Sequence, residues 1–174
     1  MSQFSTGLAA AYLSLGALLL SGCTQLEKYD ITVNDVTVYE PAPVIKVENV
    51  ADTALRGCLQ QTAWDHEATS PLALKILNCS EAGIQSLDGL EQFSALSSVK
   101  LSGNQIRNLL VLERLEALEQ LWLDNNDIVD PIPVLRMTSL RILNLTDNPA
   151  LQCPKRSDIP TSLQLNLPSH CQST

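Results

Sequence analysis

The chain has 174 residues, of which 45% are hydrophobic and 17% charged, and its formal net charge is −8. That acidity disfavours nucleic acid as a partner, because a polyanion is held through clustered Lys and Arg. Two histidines and the absence of G-x-S-x-G, H-E-x-x-H or a Gly-rich phosphate loop leave little for acid–base or nucleophilic chemistry. We therefore expect a non-enzymatic protein with no cofactor and no resident metal.

Residues 1–22 contain no charged side chain, and residues 8–20 are apolar apart from Ser14. About 13 apolar residues are too few to cross a bilayer, so the stretch reads as a signal-peptide core. It ends in "LSGC", residues 20–23, which resembles a bacterial lipobox. The resemblance implies cleavage before Cys23 and attachment of diacylglycerol to its sulfur, a lipid anchor in the membrane. Thr24, standing where Asp would resemble an inner-membrane retention signal, favours the outer membrane. Residues 23–49 then form the lipidated Cys and a tether. Ile31, Val33, Val36 and Val38 leave room for a short strand packed on the flank of the domain beyond, but Pro41 and Pro43 favour an extended tether.

Residues 50–73 open with "VADTALRGCLQQTAW". Asp52 or Thr53 suits a helix N-cap, and Ala54, Leu55, Cys58 and Leu59 share one helical face. The expectation is a helical N-terminal cap.

From residue 74 the chain repeats. "LKILNCSEAGI" at 74–84 recurs as "LSSVKLSGNQI" at 96–106, "LEQLWLDNNDI" at 118–128 and "LRILNLTDNPA" at 140–150, with a degraded "SLQLNLPSHCQ" at 162–172. The shift is 22 residues each time. Three columns stay in register: Leu77, Val99, Leu121, Leu143 and Leu165; Cys79, Leu101, Leu123, Leu145 and Leu167; Ala82, Asn104, Asn126, Asn148 and His170. The L-x-x-L-x-L-x-x-N frame is that of a leucine-rich repeat, and the chain resembles the 22-residue class found in bacterial internalins. That resemblance implies an α/β solenoid: a short horseshoe of about five coils with a parallel concave sheet, repeats over 74–161, and a degenerate last repeat and C-terminal cap over 162–174. Each coil has one apolar side that only stacking can hide. An Asn amide in the column suits a sharp turn, where it satisfies backbone groups left without partners. After Asn148-Pro149, Leu151 rather than Ala150 is expected to point inward.

Four cysteines remain after Cys23, and an even number in an exported chain suggests disulfides. Three connectivities exist. Stacked strands lie about 4.8 Å apart, which puts Cys79 on the first coil roughly 19 Å from Cys171 on the fifth, beyond disulfide reach of about 7 Å. Cys58 sits in the cap over the first coil, while Cys153 and Cys171 are one coil apart. The expected pairs are Cys58–Cys79 and Cys153–Cys171, one at each end of the solenoid.

What the repeat leaves free is a surface. Because side chains alternate on a strand, Asn78, Lys100, Trp122, Asn144 and Asn166 form the central outward column. Ile76, Ser98, Gln120, Ile142 and Gln164 flank it on one side, and Ser80, Ser102, Asp124, Thr146 and Pro168 on the other. A large aromatic in such a place suits a binding hot spot. We expect a monomeric protein that binds a protein partner of the bacterial envelope through Trp122, Lys100, Gln120, Asp124, Asn144 and Asp147. The alternative is a structural envelope-assembly or cell-wall and glycan-associated lipoprotein. "DNNDIVD" at 124–130 lacks the Gly and Glu that a helix–loop–helix calcium site requires, since Val129 and Leu135 stand in those places.

Overall fold

The structure, a computed structural model, describes residues 31–33, 36–39 and 44–171. Cys23 and the expected leader lie outside them. The chain divides into two units, residues 1–42 and 43–174. In the first, strands β1 (Ile31–Val33) and β2 (Val36–Tyr39) pair antiparallel, so strand pairing stands where a wholly extended tether was expected.

The second unit begins before the expected cap boundary. Residues 44–49 are not free chain: Val47 and Val50 are buried in the core. Gln60 holds this segment with both ends of its amide, donating to the Ile45 carbonyl (3.0 Å) and accepting from the Val47 N–H (3.0 Å). The Ile45 N–H also donates to the Ala68 carbonyl.

Helix α1 (Thr53–Asp65) follows. Leu55, Leu59 and Ala63 are completely buried, at the i, i+4, i+8 spacing that makes one helical face. Asp52 is the N-cap and does more than cap. One carboxylate oxygen accepts from the N–H groups of Ala54 and Leu55, and the other from those of Gln85 and Ser86. Burial works against the charge, but these four backbone donors outweigh it and hold the Asp52 pKa below the usual value.

Strands β3 (Ile76–Asn78), β4 (Ser98–Lys100), β5 (Gln120–Trp122), β6 (Ile142–Asn144) and β7 (Gln164–Asn166) form one parallel sheet in chain order. Every pairing matches residues 22 apart. A short helix, α2 (Ile132–Leu135), and 3-10 turns at Leu90–Gln92 and Leu110–Arg114 close the coils. Leu77, Val99, Leu121 and Leu143 are fully buried, and so are Leu101, Leu123 and Leu145. Burying a leucine contributes about 1.5–3 kcal/mol, which is why the two inward columns dictate the register.

The asparagine column ties coil to coil. Asn126 donates to the carbonyls of Leu101 (2.9 Å) and Leu123 (3.1 Å) and accepts from the Ile106 N–H (3.0 Å). Asn104 and Asn148 repeat the pattern. Each amide therefore joins its own coil to the one before. Leu151 is buried and Ala150 exposed, so the turn after Asn148 is remodelled around Pro149. Disulfides join Cys58 to Cys79 and Cys153 to Cys171, with Cα–Cα distances of 5.8 and 5.2 Å.

Candidate functional site

The open face of the five-stranded sheet gathers most of the candidate residues. Strand register sets Lys100, Trp122 and Asn144 side by side on β4, β5 and β6. Gln120 lies two residues before Trp122 on β5 and so on the same face. Lys100 Nζ stands 5.0 Å from the centroid of the Trp122 ring, within cation–π range. Among the described residues the one ion pair is the exposed Lys46–Glu48, so Lys100 has no carboxylate partner there.

Burial and hydrogen bonding define two of these side chains further. Trp122 is half-buried rather than prominent; the coil before it supplies the Lys100 side chain that covers the ring. The large apolar side chain that stands out from the sheet is Ile76 on β3, 58% exposed. Asp124 is engaged within the sheet as well. Its Oδ1 accepts from Ser102 Oγ (2.8 Å) and from Asn144 Nδ2 (3.0 Å). It thus links three successive coils and fixes the orientation of Asn144 beside Trp122. Sequence reasoning missed this bridge, although the spacing of Ser102 and Asn144 around Asp124 (one coil either way) was visible.

Asp147 parts from the group. It occupies the turn after β6 in a left-handed conformation (φ 55°), one coil on from Asn125 with the same φ. Short polar residues tolerate that conformation through local hydrogen bonding. Asp147 lines a cleft of about 390 Å³ with Asn125, Asn148, Pro149, Pro168 and His170. Lys100, Trp122, Gln120, Asp124 and Asn144 therefore lie together on one face, and Asp147 borders a separate cleft.

The face offers hydrogen-bonding groups, one cation and one aromatic surface. Neither histidine stands on it: His66 ends α1, and His170 lies after β7 with a ring nitrogen 3.0 Å from the Leu151 carbonyl. Among the described residues no helix is long and apolar enough to cross a membrane.

Solved structures share this architecture. An internalin (inlF) from Listeria monocytogenes superposes with a TM-score of 0.60 at 22% identity, over 73% of this chain and 39% of that one. Internalin C2 of the same organism gives 0.58 at 17% identity, over 75% of this chain and 70% of that one. The fold is an internalin-like leucine-rich repeat solenoid. This chain spans well under half the length of the first of those proteins. No family model and no curated protein matches it.

Proposed function

We propose that the protein is a non-enzymatic binding module that holds a protein partner on the concave face of its sheet, centred on Trp122. The observation that carries this reading is the Lys100–Trp122 pair. A cation without a carboxylate partner among the described residues is held over an aromatic ring near the middle of the sheet. Around it Gln120 and Asn144 are uncharged polar groups, and Asp124 holds Asn144 in place. Aromatic anchors with a polar rim are where binding energy concentrates. Helix α1 serves as the N-terminal cap. The fold by itself suggests a protein partner only by analogy. The residues above make a protein surface the better ligand than a glycan, for which one half-buried aromatic is a small platform.

The same reading puts the module at the bacterial outer membrane. Cys23 carries the lipid, and the segment after it spaces the solenoid from the bilayer. Trp122→Ala combined with Lys100→Glu tests the face. Partner capture from solubilised envelope falls at least tenfold if the face binds. Undiminished capture by the folded double variant rules it out and favours an envelope-assembly role in which the sheet face is a bystander. Cys23→Ser tests the anchor: the protein leaves the membrane fraction and loses the lipid mass.

A further inference from the structure

A second cluster lies at the far end of the solenoid. The Sγ atoms of Cys153 and Cys171 and a ring nitrogen of His170 all lie within 4.8 Å of one another. In the oxidised chain the sulfurs are bonded to each other, and a metal requires thiolates. We propose that a dithiol reductant converts the Cys153–Cys171 disulfide into a Cys2His site for Zn2+ or a similar divalent cation.

The chemistry balances in two steps. The reductant passes two electrons and two protons to the disulfide; the S–S bond breaks, two thiols form, and the reductant itself closes to a disulfide. Zn2+ then takes both sulfurs as thiolates, releasing two protons to solvent, and neutral His170 adds its ring nitrogen. Metal binding that releases thiol protons is pH-dependent and favours the folded chain.

Three observations support the site. With Zn–S near 2.3 Å and Zn–N about 2.0–2.1 Å, tetrahedral zinc separates its donors by roughly 3.5–3.8 Å. The three donors already fall inside 4.8 Å, so the sulfurs need only part once the bond is broken. Second, His170 Nε2 stands 3.0 Å from the Leu151 carbonyl. A carbonyl oxygen only accepts, so the proton of the neutral ring sits on Nε2 and Nδ1 keeps its lone pair for a cation; a backbone carbonyl on the other ring nitrogen is a common partner of metal-binding histidines. Third, Cys153 and His170 are exposed, and His170 and Asp147 line the same open cleft. Exposure of Cys153 itself gives reductant and cation a path to the sulfurs, and the open side at His170 leaves the fourth position to water. The Cys58–Cys79 pair has no such neighbours: among the described residues, the cluster at Cys153 is the one group of three metal-binding side chains.

The test uses the full chain, reduced anaerobically, desalted and titrated with Co2+ as a spectroscopic probe and with Zn2+ as competitor. The expected result is one equivalent of Co2+ with thiolate charge-transfer and tetrahedral d–d absorption, displaced by Zn2+. The oxidised chain should give no such spectrum. His170→Ala, which leaves both cysteines in place, should weaken binding about tenfold or more. The Cys58→Ser, Cys79→Ser variant should bind as the wild type does. Absence of the absorption in the reduced wild type overturns the proposal, as does equal affinity in His170→Ala. Loss of the spectrum in the Cys58→Ser, Cys79→Ser variant, with retention in Cys153→Ser, Cys171→Ser, overturns it as well.

Discussion

The two ends of the solenoid solve the same problem differently. At the N-terminal end, α1 presents Leu55, Leu59 and Ala63, all at 0% exposure, and its Cys58 is bonded to Cys79 on the first coil. Asp52 adds a polar clamp, reaching the N–H groups of Gln85 and Ser86 across more than thirty residues of sequence. At the C-terminal end no α-helix follows β7 among the described residues. Leu163, Leu165 and Leu167 pack on the core but are only partly buried, around a cavity of about 780 Å³ that also includes Ile159 and Pro160. The first end is closed by apolar packing and hydrogen bonds. Among the described residues the second is less covered, and the Cys153–Cys171 bond ties it together. Side chains at equivalent repeat positions should therefore contribute unequally, according to what covers them.

The largest loss is expected between the ends. Asn126→Ala removes an amide that serves two buried carbonyls and one buried N–H. Each orphaned group costs about 1–3 kcal/mol, so the variant should lose about 3–5 kcal/mol in denaturant unfolding. Leu59→Ala, at the closed end, should lose about 3 kcal/mol, and Leu165→Ala, at the open end, about 1 kcal/mol. Equal losses in the last two would erase the distinction between the ends.

Asp52→Ala falls between those two leucines, at about 2 kcal/mol for the lost cap and clamp. The sign of its pH dependence follows from the lowered pKa. The unfolded chain takes up the proton first, near 3.8. The contribution of Asp52 is complete above that pH and disappears as pH falls through the lower folded value. The gap between wild type and Asp52→Ala should therefore close in acid. A gap that persists well below the folded pKa would show that the carboxylate is not the clamp. The smallest effect on stability belongs to the sheet face. Lys100→Glu should change unfolding by less than about 0.5 kcal/mol, because Lys100 is exposed and its side chain lies over the Trp122 ring rather than in the core.

Much of this was legible in the 22-residue columns, because a solenoid repeats its packing as it repeats its sequence. Leu77, Val99, Leu121 and Leu143 mark both the strands and their register, and the cysteine spacing agrees with that register. What the columns could not show lies outside the repeat or between its coils. Val47 and Val50 are buried beside a segment that the Gln60 amide holds, a contact with no period. Asp52 has a second set of partners that only the folded chain brings to it. In sequence Trp122 is an isolated aromatic; in the fold its neighbour one coil earlier has a side chain long enough to lie across it. In sequence Asp124 is one outward residue of a flanking column; in the fold Ser102 and Asn144 flank it at hydrogen-bonding distance.

The binding reading of the sheet face is tested most directly by a photoreactive side chain placed at Trp122 in intact envelope, with a matched probe at the exposed Leu110 on a turn away from the strands. The account predicts a discrete crosslinked protein from position 122 that Lys100→Glu abolishes, with none from position 110. The same adduct from both positions, or one from 122 that Lys100→Glu leaves unchanged, would contradict it.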